Sequence, residues 1–161
     1  MKTFAILFLS CASLSGADTD IQIVTTTKTN ATSDIILTQT VFMRDGQTNL
    51  IRDTMSTRGK VTGQNHKFYH DGYFVGEIKS MADFSVFTGA SDCPYLLEGF
   101  YRTNGGVWQA DIRTKEGIVL DHFIVTNGIF WPAPKSDVQN LKKMTTDVSH
   151  AHAKMMEHIP K

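Results

Sequence analysis

Six glycine turns punctuate the chain at near-constant spacing: Asp45-Gly46, Arg58-Gly59, Asp71-Gly72, Asn104-Gly105, Glu116-Gly117 and Asn127-Gly128. Each lies between runs of strand length, and glycine there supplies the positive φ that a tight hairpin needs. The pattern predicts a mainly β fold: a single curved antiparallel β-meander of eight or nine strands, with one C-terminal α-helix packed on it. It fixes an architecture and leaves the chemistry open.

Export is the second constraint. Met1-Lys2-Thr3 carries one positive charge, Phe4 to Leu14 form an uncharged and largely apolar run, and Ser15-Gly16-Ala17 closes it with small residues. These are the parts of a secretory signal, too short to cross a bilayer as a helix. Residues 1–17 are read as a signal peptide and Asp18 as the start of one mature domain, 18–161, that is secreted or periplasmic. Leu9-Ser10-Cys11 also resembles the end of a bacterial lipoprotein box, in which Cys11 would carry a lipid anchor.

The chain balances 16 Lys and Arg against 16 Asp and Glu, and loss of Lys2 with the leader leaves 15 against 16. No basic surplus is available to neutralise phosphates, so nucleic acid is not an expected partner, and no transmembrane span is expected. Of the two cysteines only Cys93 survives processing, which excludes an intramolecular disulfide. A mature chain of this size buries about two-thirds of its unfolded surface and is stable without staples.

Strands are expected over 21–29, 35–44, 47–57, 60–70, 73–80, 83–88, 95–103, 107–114 and 118–126, with a short one at 129–131. Asn30-Ala31-Thr32 fits a glycosylation acceptor, relevant in a eukaryotic source. The segment 47–57 has no cleanly apolar face and suggests an edge or solvated strand. The segment 118–126 is apolar on both faces and belongs in the interior of a sheet. Gly89-Ala-Ser-Asp-Cys-Pro94 breaks the rhythm, where the sheet either divides or turns a corner.

Phe42-Met-Arg-Asp-Gly46 and Phe68-Tyr-His-Asp-Gly72 form a faint internal repeat, an aromatic ahead of each turn. Over about nine residues, Tyr69-His-Asp-Gly-Tyr-Phe-Val-Gly-Glu77 resembles MORN-type hairpin repeats. No function is carried over from that resemblance. Ser136-Asp-Val-Gln139 fits a capping box for a helix over 136–158, whose stripe Val138, Leu141, Val148, Met155 and Ile159 is expected to pack on the sheet, with Thr145 and His152 on the same face. Its spacing also satisfies heptads.

No residue set assembles into a recognisable catalytic, cofactor or metal site. His150 and His152 lie about 200° apart around a helix; His66 and His70 are roughly 13 Å apart along a strand. Lys154 stands between His150 and His158, and His122 would need distant partners, so the histidines are read as surface residues. Cys93 has Asp92 beside it, opposing thiolate formation, and is read as a loop thiol. Glu98, Asp111 and Asp121 fall within strands and are the candidates for a paired-carboxylate acid/base site. Of the aromatics Tyr69, Tyr73, Phe74, Tyr95, Phe100, Tyr101, Trp108, Phe123, Phe130 and Trp131, most are assigned to the core and a minority to a ligand groove.

Size, leader, meander and late helix are similar in outline to lipocalin-like carriers, although their early Gly-x-Trp is absent. Three functions follow from these observations: a non-enzymatic exported binding or scaffold module for an unknown protein or small ligand; a carrier of an apolar ligand in a curled sheet or barrel; or a hydrolase using strand carboxylates.

Overall fold

The computed structural model describes residues 5–13, 21–30, 34–81, 84–101 and 107–157. The chain is mainly β with one C-terminal helix and packs as two compact units, 1–91 and 92–161. The Asn104-Gly105 turn, the Asn30-Ala31-Thr32 acceptor as a whole, and His158 and Ile159 of the expected helix stripe lie outside the described residues.

The first unit is a seven-stranded antiparallel meander in sequential order. Its strands are β1 (Ala5–Ser13), β2 (Ile21–Asn30), β3 (Ile35–Arg44), β4 (Gln47–Thr57), β5 (Lys60–His70), β6 (Tyr73–Met81) and β7 (Phe84–Gly89). Three of its hairpins turn on paired positive-φ residues, Asp45-Gly46, Arg58-Gly59 and Asp71-Gly72, the two-residue geometry whose twist matches that of the flanking strands. Residues 5–13, inside the segment read as a leader, pair with β2.

Alternation divides this sheet into two faces. Phe42 and Phe68 both stand opposite Leu50, one from each neighbouring strand. All three are fully buried, together with Ile78, so the aromatic repeat in the sequence marks a single cross-strand cluster. Removing such a ring costs about 3–5 kcal/mol. Arg52 lies 5.4 Å from the Phe42 ring centroid, and His66, directly opposite Arg52, is fully buried. Two expectations are corrected here. His66 is not a surface histidine, and β4 is the central strand of the sheet, not an edge. Its polar residues are accommodated because Asn49 is taken up in a bulge and because Asp53 and Arg52 find partners across the ladder.

The second unit holds four antiparallel strands in the order β11-β10-β9-β8: β8 (Leu96–Tyr101), β9 (Val107–Arg113), β10 (Val119–Thr126) and β11 (Ile129–Pro132). The single meander expected from the turns is, among the described residues, two antiparallel sheets with eleven strands between them. The division falls just after Gly89, the last residue of β7, which still pairs with Gly76, and before β8 begins at Leu96. The strand apolar on both faces, β10, is interior as expected.

Helix α1 (Lys135–Glu157) packs on β10. It begins one residue earlier than the capping box implies: Pro134 carbonyl oxygen accepts from Asp137 and Val138 amides. Ser136 lies within the first turn and does not cap it. Val138 is buried, and Thr145 is bonded to the sheet, its Oγ1 accepting from the Val119 amide at 3.0 Å. Beyond that turn the expected stripe is open, with Val148 and Met155 64% and 65% exposed.

Candidate functional site

The other face of the first sheet carries its polar chemistry. The register places Gln39 opposite Asp53, Asp53 opposite Asn65, Asn65 opposite Lys79 and Lys67 opposite Glu77. Same-face neighbours across antiparallel strands are close enough for side chains to bond. Here Gln39 Nε2 donates to Asp53 at 2.7 Å, Lys67 Nζ to Asp53 at 2.9 Å and Asn65 Nδ2 to Glu77 at 2.9 Å. Lys79 pairs with Glu77 at 2.6 Å.

The result is a ladder of fixed polar groups. Burial works to raise the affinity of Asp53 for protons, but the bonds from Gln39 and Lys67 and the neighbouring positive charge hold its carboxyl below the usual range. The Lys79 and Asn65 bonds do the same for Glu77, and the bond to Asp53 raises Lys67. Both signs are present in equal number in this ladder, so it carries no net charge.

Beside the ladder lies a depression of about 440 Å³. Gly63, opposite Met55, puts no side chain on its floor, and Met55 Cε comes within 3.9 Å of where a Cβ would stand. Leu37 and Met55, 49% and 41% exposed, form its apolar wall. A second, more open depression of about 460 Å³ lies farther along the same face, lined by Gln47, Thr48, Ile51, Tyr69, Asp71 and Gly72. Tyr69 is steadied by Phe74, ring centroids 5.6 Å apart.

The second sheet has a different cluster on its face away from the buried residues Ala110, Ile112 and Phe123. One row of the ladder aligns Glu98, Asp111 and His122. Asp111, 1% exposed, lies 2.7 Å from His122 Nδ1 and 2.7 Å from an Arg113 amino nitrogen. Arg113 Nε also pairs with Glu98 at 2.9 Å and its guanidinium covers the Phe100 ring at 5.4 Å. Burial opposes ionisation of Asp111, yet the bonds from His122 and Arg113 and their charges hold its carboxyl below the ordinary range.

The paired-carboxylate site is only half assembled. Glu98 and Asp111 share a face and a common arginine, but Asp121 stands opposite Ile112 on the other face, because successive strand residues alternate and it is its neighbour His122 that stands opposite Asp111. A general acid needs a carboxyl whose affinity for protons is raised, and Asp111 is shifted the opposite way. His122, read from the sequence among the surface histidines, is instead largely covered, its side chain 11% exposed and bonded to Asp111. Its signal in the sequence was its place in β10, in register with a strand carboxylate.

The other sequence candidates stay apart. Cys93 is a free, half-buried thiol in the segment between the two sheets. Among the described residues, no group of three His, Cys, Asp or Glu is placed to hold a metal ion, and no helix is long and apolar enough to cross a membrane. The aromatics are more exposed than expected: of those named above only Phe123 and Phe130 are buried, while Tyr73, Phe74, Tyr101 and Trp108 are exposed. The chain matches no family model, no curated protein and no solved structure.

Proposed function

We propose that the chain is an exported, non-enzymatic binding module that holds its ligand on the polar face of the first sheet. The observation that supports this most is the depression walled by Leu37 and Met55 beside the Gln39–Asp53–Lys67 ladder. A ligand site combines exposed apolar surface with a few fixed polar groups, and these are fixed by one another before any ligand arrives.

The test fills the depression. Met55→Trp places a large ring where the ligand would lie. Neutral oligosaccharides, short peptides and detergents form the panel, with binding read by calorimetry and fold by circular dichroism. One class is expected to bind the wild-type protein and to bind Met55→Trp about tenfold more weakly, a loss of about 1.4 kcal/mol. Equal affinity for the two proteins would remove the proposal.

Hydrolysis is the second reading, favoured by the Asp111–His122 pair. An aspartate on Nδ1 orients the imidazole and leaves Nε2 to act as a base. Turnover of an ester or glycoside substrate, abolished in His122→Gln, would move the function to the second sheet.

A further inference from the structure

The two depressions of the first sheet share a floor. β4 lends Asp53 and Met55 to one and Ile51 and Thr48 to the other; β5 lends Gly63 and Asn65 to one and Tyr69 to the other. In the register these residues all face the same way: Asp53 opposes Asn65, Met55 opposes Gly63, and Ile51 opposes Lys67, two residues before Tyr69. Asn65 and Tyr69 are four residues apart, roughly 13 Å along an extended strand. Between the depressions stands the Lys67–Asp53 ion pair, half-exposed and 2.9 Å long.

Resting on the reading of this face as the binding surface, we infer that its ligand is an elongated, uncharged oligosaccharide lying along β4 and β5 across both depressions. Four observations combine. First, the two depressions follow one another along β4 and β5, so a single ligand laid along those strands reaches both. Second, the central ladder pairs Asp53 and Glu77 with Lys67 and Lys79, and among the described residues Lys28 is the one charged residue lining the first depression outside that ladder, a single cation where a polyanion would need several.

Third, the bonding groups are side chains on the face of a paired sheet, whose backbone groups are already used. A peptide added as a strand needs a free sheet edge, and a bound amphipathic helix needs an unbroken apolar stripe, which the ion pair interrupts. Fourth, the amides of Gln39 and Asn65 can donate or accept and the Asp53 carboxylate can accept at adjacent hydroxyls. At the far end Tyr69, with Gln47 and Asp71 beside it, offers an apolar ring face with polar neighbours. A polyhydroxylated chain with one apolar ring face satisfies all four.

The experiment measures length dependence. Cello-, malto- and chito-oligosaccharides of two and of six units are titrated into the full chain, with a neutral peptide and a detergent as the other arms. In one series the hexamer is expected to bind about tenfold or more tighter than the dimer, because the second depression is engaged intramolecularly. Tyr69→Ala is expected to bring the hexamer down to the affinity of the dimer, and Gln47→Ala, an exposed change that leaves packing alone, to do so in part. Equal affinity for dimer and hexamer, or no binding in any series, overturns the inference. If the peptide or detergent binds instead and Met55→Trp weakens it, the saccharide is wrong and the binding face stands. If nothing in the panel binds, both fall.

Discussion

At the scale of single residues, His66 shows how much a strand position depends on what lies across from it. By alternation β5 offers Gln64, His66, Phe68 and His70 on one face and Gly63, Asn65, Lys67 and Tyr69 on the other, and neither looks like a core. Leu50 and Ile78, brought in by β4 and β6, decide the matter, and that information is not in the local sequence. Burial, with the charge of Arg52 nearby, pushes His66 down from 6.5 to about 4 against a smaller opposing pull from Asp53. The unfolded chain then takes up a proton at a higher pH than the folded one, so stability falls as pH drops from 6.5 toward about 4. The full loss is on the order of 3 kcal/mol. Asp53 and Asp111 are shifted below 3.8, so their contributions fade only at lower pH, and the window above belongs mostly to His66. Urea unfolding from pH 7 to 4.5 is expected to show this slope in the wild-type protein and a flattened one in His66→Gln. Parallel slopes would show that His66 is not the titrating group.

At the scale of elements, the sequence was most informative. Paired positive-φ residues ended the strands where the glycines stood, so β3, β4 and β5 begin and end where expected. The Gly89–Pro94 interruption divided the chain into two sheets because it offers no alternation for a partner strand to read. The helix was legible in extent but not in contact. Its stripe suggested an interface along the whole length, whereas only the first turns meet β10, and the decisive contact is a hydroxyl. Thr145 Oγ1 accepts from the Val119 amide and donates to the Leu141 carbonyl at 2.8 Å. Val119 begins the irregular stretch of β10, where the ladder leaves its amide to be satisfied from outside. Thr145→Val keeps the shape and orphans that donor, for an expected cost of about 1–2 kcal/mol in urea unfolding. Thr146→Val, whose hydroxyl only returns to the Lys142 carbonyl, is expected to change little. Equal effects would mean that the helix is held by something other than this bond.

At the scale of the whole molecule, the balance of charge and the mainly β architecture were legible, and the candidate sites were not. Glu98 and Asp111 were named from their strand positions, but the ladder of Gln39, Asp53, Asn65, Lys67, Glu77 and Lys79 spans four strands and exists only once their register is set. A shift of one residue in any strand would turn its members to the opposite face. The same holds for His122, which reaches Asp111 only through the pairing of β10 with β9. Function therefore rests on which of two faces meets a ligand, the first sheet through its depressions or the second through its Asp–His pair. Mapping backbone amides by NMR during titration with the tightest-binding member of the panel separates them. The largest shifts are expected within residues 51–55 and 63–69, with 98, 111 and 122 unmoved. Shifts centred on 98, 111 and 122, with β4 and β5 unchanged, would contradict the proposal that the first sheet binds the ligand.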